Sequence, residues 1–227
     1  MLSFVTDGRV RAAAMLVALL MLPACTGTQY LDNSIGELTP AEKVSVADPQ
    51  PVQVLYEFQT KGVANGQATD YTKEMVADTI KSSGLFSQVS TDPVPNGALL
   101  HIVINNVPLD DAFAKGFVTG LTLGLAGSTV GDGYVCNAEY LPAPKTPEID
   151  ANIRDAIYTS IGATNGPQNA TQMPDIKTAV QTMVHRVVSH MLNDLAKDPK
   201  FAQKASAPVA AAPAPAQPSA APPGSNS

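Results

Sequence analysis

Val52-Gln53-Val54-Leu55-Tyr56-Glu57-Phe58 alternates apolar and polar side chains, and its period decides how the middle of the chain is read. Val52, Val54, Tyr56 and Phe58 fall on one face, the pattern of a half-buried strand. Gly62, Asn65 and Gly66 then mark a loop. Thr69 or Asp70 is suited to cap a helix that carries Met75, Val76 and Ile80 at helical spacing and stops at Gly84. Ala98 to Val107 is apolar enough to be a central strand. Strand, helix and strand at this length form a crossover unit with parallel strands.

Beyond the midpoint, Tyr134–Leu141 and Ile153–Ile161 both alternate, with Pro142, Pro144 and Pro147 as the turn between them. From Asp175 to Lys197 the apolar residues Ile176, Val180, Met183, Val184, Val187, Val188, Met191, Leu192 and Leu195 make one wide helical stripe, which Asp198-Pro199 ends. The predicted fold is α+β. A small mixed sheet of about four strands (β-α-β, then β-β-α) carries two helices on one face.

The two ends differ from this middle. Arg9 and Arg11 precede an uncharged apolar run from Ala12 to Leu22, closed by Pro23-Ala24-Cys25. The run is too short for a membrane-spanning helix, which needs about 20 residues. A positive start, a short apolar core and a small residue before the cut describe a secretory signal over 1–24. Residues 25–50, with Pro40 and Pro49, read as a tether, and 51–200 as one α/β domain. Residues 201–227 read as an Ala/Pro-rich disordered tail.

Leu22-Pro23-Ala24-Cys25 resembles the lipobox of bacterial lipoproteins. That resemblance implies cleavage before Cys25 and lipid on its sulfur and amine; a thiolate is the nucleophile such chemistry needs. Several acyl chains on one cysteine hold a protein stably at a bilayer. Thr26, where an inner-membrane retention signal would carry Asp, implies the outer membrane and a domain facing the periplasm. Ser83-Gly84-Leu85-Phe86 and the element order around it are similar to Gram-negative envelope lipoproteins that assist transporters, cell-wall synthases or curli-type secretion. That likeness implies a non-catalytic accessory role.

Between the second and third predicted strands lies an uncharged segment, Phe117 to Gly131, within a glycine-rich apolar insertion at 112–133. Small-xxx-small spacing allows close backbone approach between helices, yet the same residues also alternate as a strand would. Interior glycines each cost about 1 kcal/mol in a helix, so an isolated exposed helix is disfavoured. Three readings stay open: an internal strand or buried loop, an exposed surface for self-association or a partner, and insertion in the membrane. Gly116, Phe117, Gly120, Leu121, Gly124, Leu125, Gly127 and Gly131 are the candidate contact residues.

Removing residues 1–24, which hold Arg9, Arg11 and Asp7, moves the formal charge from −6 to −7. An acidic chain without a basic run argues against nucleic acid as partner. Cys136, the other of the two cysteines, sits in an apolar strand pattern and reads as a buried small hydrophobe. His101 reads as a strand histidine. His185 and His190, five apart, miss the i, i+4 spacing of a zinc-binding helix. Asp110, Asp111 and Asp132 read as loop acids, and Asn169-Ala170-Thr171 as an uninformative sequon. No nucleophile elbow, phosphate loop or dinucleotide motif occurs, so neither an enzyme nor a cofactor or metal is expected. The expected role is a membrane-anchored, non-catalytic component of an envelope assembly or transport machine, with an envelope protein as partner. The alternative is a self-assembling, homo-oligomeric secretion or channel component.

Overall fold

The structure is a computed structural model, and it describes residues 27–109, 129–161 and 166–204. Among these, eight strands and two helices follow in the order β1 (Thr28–Asp32), β2 (Gln50–Thr60), β3 (Val63–Ala64), α1 (Gly66–Ser82), β4 (Phe86–Ser90), β5 (Ala98–Pro108), β6 (Thr129–Leu141), β7 (Ile149–Ser160), β8 (Ala170–Met173) and α2 (Ile176–Lys197). All strands belong to one mixed sheet, ordered β3-β2-β5-β6-β7-β1-β8, with β4 beside β2. β2 runs parallel to both β4 and β5. From β5 onward every pairing is antiparallel.

Alternation in the strands builds the main core. Tyr56 pairs with Ile102, Ile102 with Ala138 and Ala138 with Ala151, so one residue parity of four strands faces the same side. On that side Val52, Leu100, Ile102, Ile104, Cys136 and Tyr140 are buried beneath Val76 and Ile80 of α1 and Met183, Val187, Met191 and Leu195 of α2. Full burial of one such aliphatic side chain stabilises by about 2 kcal/mol. A second, smaller cluster (Val107, Leu109, Ala156 and Tyr158, with Tyr30 and Val135 against it) covers part of the opposite face. Gly166 packs against the Tyr30 ring, which leaves no room for an added Cβ.

Local chemistry sets the element ends. Lys61 and Gly62 both have positive φ, between paired residues Thr60 and Val63, and make the two-residue turn of a hairpin. Asn65 caps α1, its side chain accepting from the Ala68 amide at 3.0 Å. Gly84, at φ +72°, follows the helix where a left-handed residue is needed. Asp175 caps α2 by accepting from the Thr178 amide at 2.7 Å.

The sheet corrects the expected fold class. The chain forms a predominantly β domain around one eight-stranded sheet, not a small four-stranded α+β domain. The additional strands are short or polar, as in Thr28-Gln29-Tyr30-Leu31-Asp32 and Ala170-Thr171-Gln172-Met173. Tertiary pairing, rather than an apolar period, makes them strands. α1 also starts a turn earlier than predicted, because Asn65 is the cap and Thr69 instead accepts from the Phe58 amide at 2.9 Å.

Both segments read as flanks hold described residues that pack into the domain. β1 sits between β7 and β8. After it, the strap of residues 33–46 crosses α2. The Val44 amide donates to Asn193 Oδ1 at 2.7 Å, and Asn193 Nδ2 donates to the Glu42 carbonyl at 3.1 Å. At the C-terminal side Phe201 is 3 % exposed and stacks on Tyr140, with ring centroids 4.5 Å apart.

Candidate functional site

Two strand starts, each following a segment singled out in the sequence, lie at one end of the sheet. Thr28 pairs with Ser160, and Ser160 pairs with Thr129. β1 therefore begins two strands from where β6 begins, about 10 Å away at the usual strand spacing. Residue 25 lies just before β1, and the glycine-spaced segment lies between β5 and β6. The Leu109 amide donates to the Gly131 carbonyl at 2.8 Å and closes the ladder at the root of that segment.

Of the residues singled out in the sequence, Cys25, Gly116, Phe117, Gly120, Leu121, Gly124, Leu125 and Gly127, with Asp110 and Asp111, lie outside the described residues. Gly131 is described. It is buried in β6, where an added Cβ would meet Leu109 and Tyr158 at 3.1 Å. Its missing side chain thus serves internal packing.

The histidines are apart and each has its own partner. His101 Nδ1 lies 3.1 Å from Glu139 on the face of the sheet away from the helices. His185 lies 3.5 Å from Glu37, and His190 Nε2 lies 2.9 Å from the Gly36 carbonyl, so these two fasten the strap to α2. Asp132 accepts from Asn106 at 3.3 Å. Cys136 is fully buried, and burial pushes its thiol well above the ordinary range. Among the described residues no cluster of His, Cys, Asp or Glu is arranged to hold a metal ion.

Sequence reasoning missed a buried polar centre beneath α2. Asp155 of β7 and Arg186 of α2 are enclosed, with Arg186 Nε 3.8 Å from Asp155 Oδ2. Arg186 Nη2 donates to the Asp32 carbonyl at 2.9 Å, and the Tyr158 hydroxyl donates to Asp32 Oδ2 at 3.2 Å. Burial pushes the Asp155 carboxyl up to about 7, against the pull of the Arg186 guanidinium and the Ala156 amide. The signal was present: Asp155 lies between Ile153 and Ile157 on an inward strand parity, and Arg186 lies within the apolar stripe of α2. The centre joins β1, β7 and α2 with both charged side chains buried, so its geometry is that of an internal clamp.

The half of the opposite sheet face not covered by the second core is mixed, with Leu55 exposed among polar groups. It presents Glu57, His101, Asn137, Glu139, Asp150 and Asn152, with Asn152 donating to Asn137. The recess lined by Asn137, Glu139, Asp150 and Asn152 is shallow and open. It offers hydrogen-bonding groups without an enclosed position for a reacting atom.

No family model and no curated protein matches the chain in sequence. Solved structures aligned with it include the PelC dodecamer from Paraburkholderia phytofirmans, at 12% identity over 74% of this chain and 96% of that chain, with a TM-score of 0.32. Rare lipoprotein B from Shewanella oneidensis aligns at 11% identity over 62% of this chain and 92% of that one, with a TM-score of 0.30. No helix among the described residues is long and apolar enough to cross a membrane.

Proposed function

We propose that this chain is a lipid-anchored envelope protein with a non-catalytic, accessory role, held on a short leash so that one end of its sheet meets a protein partner at the membrane. The observation that carries the reading is the register Thr28–Ser160–Thr129, which roots the lipobox side of the chain and the glycine-spaced segment at one sheet end. A lipid on Cys25 would fix location, and the short link to β1 would fix orientation. Effective concentration at a membrane partner then replaces high intrinsic affinity. The outer membrane is the proposed location, by way of Thr26.

The test is site-specific photocrosslinking in the intact envelope from Leu121, with Leu55 on the far sheet face as control. A discrete adduct from Leu121, lost in Gly120→Asp and absent from Leu55, supports the reading. Crosslinks indistinguishable from those of Leu55 would sink it. An adduct between two copies of the chain, together with a ring-sized species in detergent, would favour the self-assembling alternative. Labelled palmitate incorporation, lost in Cys25→Ala, tests the anchor by itself.

A further inference from the structure

Six large hydrophobic side chains are exposed among the described residues: Leu55, Val63, Tyr71, Val130, Ile161 and Ile176. They are not spread evenly. β2, β5 and β7 end where β1 and β6 begin, as the pairs Thr60–Asn106, Pro108–Asp132, Thr129–Ser160 and Thr28–Ser160 require. Val63 is in the hairpin that follows Thr60, Val130 is the second residue of β6, and Ile161 is the residue after β7. Ile176 opens α2 just after β8, whose last residue, Met173, pairs with Gln29. Four of the six thus lie at the end of the sheet from which the chain leads back to Cys25.

Three of them lie within two strands of β1. Val130 and Ile161 share the helix-bearing parity of their strands, since Val130 pairs with Thr159 and successive side chains alternate faces. They are 56% and 47% exposed, and Ile176 is 51% exposed. Val130, Ile161 and Ile176 are themselves uncharged, and among the described residues Asp132, Asp175 and Lys177 lie within two positions of them in the sequence. No run of basic residues accompanies them that would select an anionic surface.

We infer that this rim, centred on Val130, Ile161 and Ile176, is a contact surface for the lipid bilayer itself, seating the domain directly on the membrane beside the acylated cysteine. The proposal rests on the lipid-anchor reading above and goes beyond it in assigning these three side chains to lipid, beside the glycine-spaced segment that would meet the protein partner. The occupant follows from chain length. Three residues from Cys25 to Thr28 reach at most about 11 Å, while exposed aliphatic groups beside an acyl anchor add apolar area to a bilayer interface. Being neutral, the contact needs no anionic lipid.

The chain contains no tryptophan, so each introduced one reports alone. The acylated full chain is reconstituted into phosphatidylcholine vesicles bearing acyl-chain bromines, with tryptophan placed singly as Val130→Trp, Ile161→Trp, Ile176→Trp or Leu55→Trp. Acylation at Cys25 is checked by mass. The expected result is a blue-shifted emission and quenching by roughly half or more at the three rim positions, against none at Leu55→Trp, which points from the open sheet face. Three independent rim positions keep the test decisive if one variant fails to fold. Acyl mass present with rim tryptophans no more quenched than Leu55→Trp overturns the bilayer contact alone. So does rim shielding that persists in detergent with a dimer or larger species, which assigns the surface to a second copy. Absence of acyl mass overturns the anchor reading, and the contact with it.

Discussion

The guanidinium of Arg186 lies 3.8 Å from the carboxylate of Asp155, and neither side chain reaches solvent. Burial outweighs the attraction, so the Asp155 carboxyl titrates near 7 instead of near 3.8. A carboxyl raised in the folded state holds its proton longer than in the unfolded chain. Its contribution to stability is fully present below about pH 4 and is lost as pH rises through about 7. Thermal denaturation from pH 5 to pH 8 is expected to show a downward component in the parent that is absent in Asp155→Asn. The comparison of the two slopes isolates it from the surface carboxylates. Arg186→Leu removes the cation and leaves the Asp32 carbonyl without that donor. It should destabilise by about 1–3 kcal/mol, the scale for leaving a buried acceptor unsatisfied.

Phe201 follows the end of α2, yet its ring completes a cluster with Phe86 and Tyr140, and its carbonyl accepts from the Tyr140 hydroxyl at 3.3 Å. Phe201→Ala is expected to cost about 3 kcal/mol, as for other buried aromatic truncations. Chemical denaturation measures it. A cost near zero would mean that the ring is not docked in solution.

Asn193 holds the strap with both ends of its amide. Asn193→Ala should cost about 1–2 kcal/mol in lost hydrogen bonds. Amide exchange should quicken at Val44, whose N–H loses its acceptor, while β5 and β6 stay protected. Uniform acceleration across the sheet would show the strap to be part of the global unfolding unit instead.

Gly131 tests the root of the glycine-spaced segment. A Cβ there would lie 3.1 Å from both Leu109 and Tyr158. Gly131→Val overpacks this site and should cost about 1–3 kcal/mol, read as a lowered denaturation midpoint. An unchanged midpoint would show that the second core yields easily.

The elements with a strong period were legible in sequence. β2, β5, β6 and β7 carry alternating or continuous apolar runs, and α2 has its wide apolar stripe. β1 and β8 were not legible, because their identity as strands lies in each other's backbone and in β7. Phe201 was hidden by the tail composition that follows it. Asp155 and Arg186 were visible as polar residues in apolar registers, but only the fold shows that they meet. The proposed contact role of the sheet end draws on both levels: the lipobox resemblance is purely sequential, while the closeness of Thr28 to Ser160 and Thr129 is purely a matter of register.

β1 has a further consequence for biogenesis. It is the first strand to be synthesised, and its two neighbours, β7 and β8, are among the last. Leu31 pairs with Ile157 on one side and Thr171 on the other, so closing this part of the sheet waits for loops of more than a hundred residues. Such closure is entropically costly and slow. A nascent chain emerging N-terminus first cannot lock β1 in place until nearly all of it has been delivered. β1 therefore docks only once β7 and β8 are available to flank it.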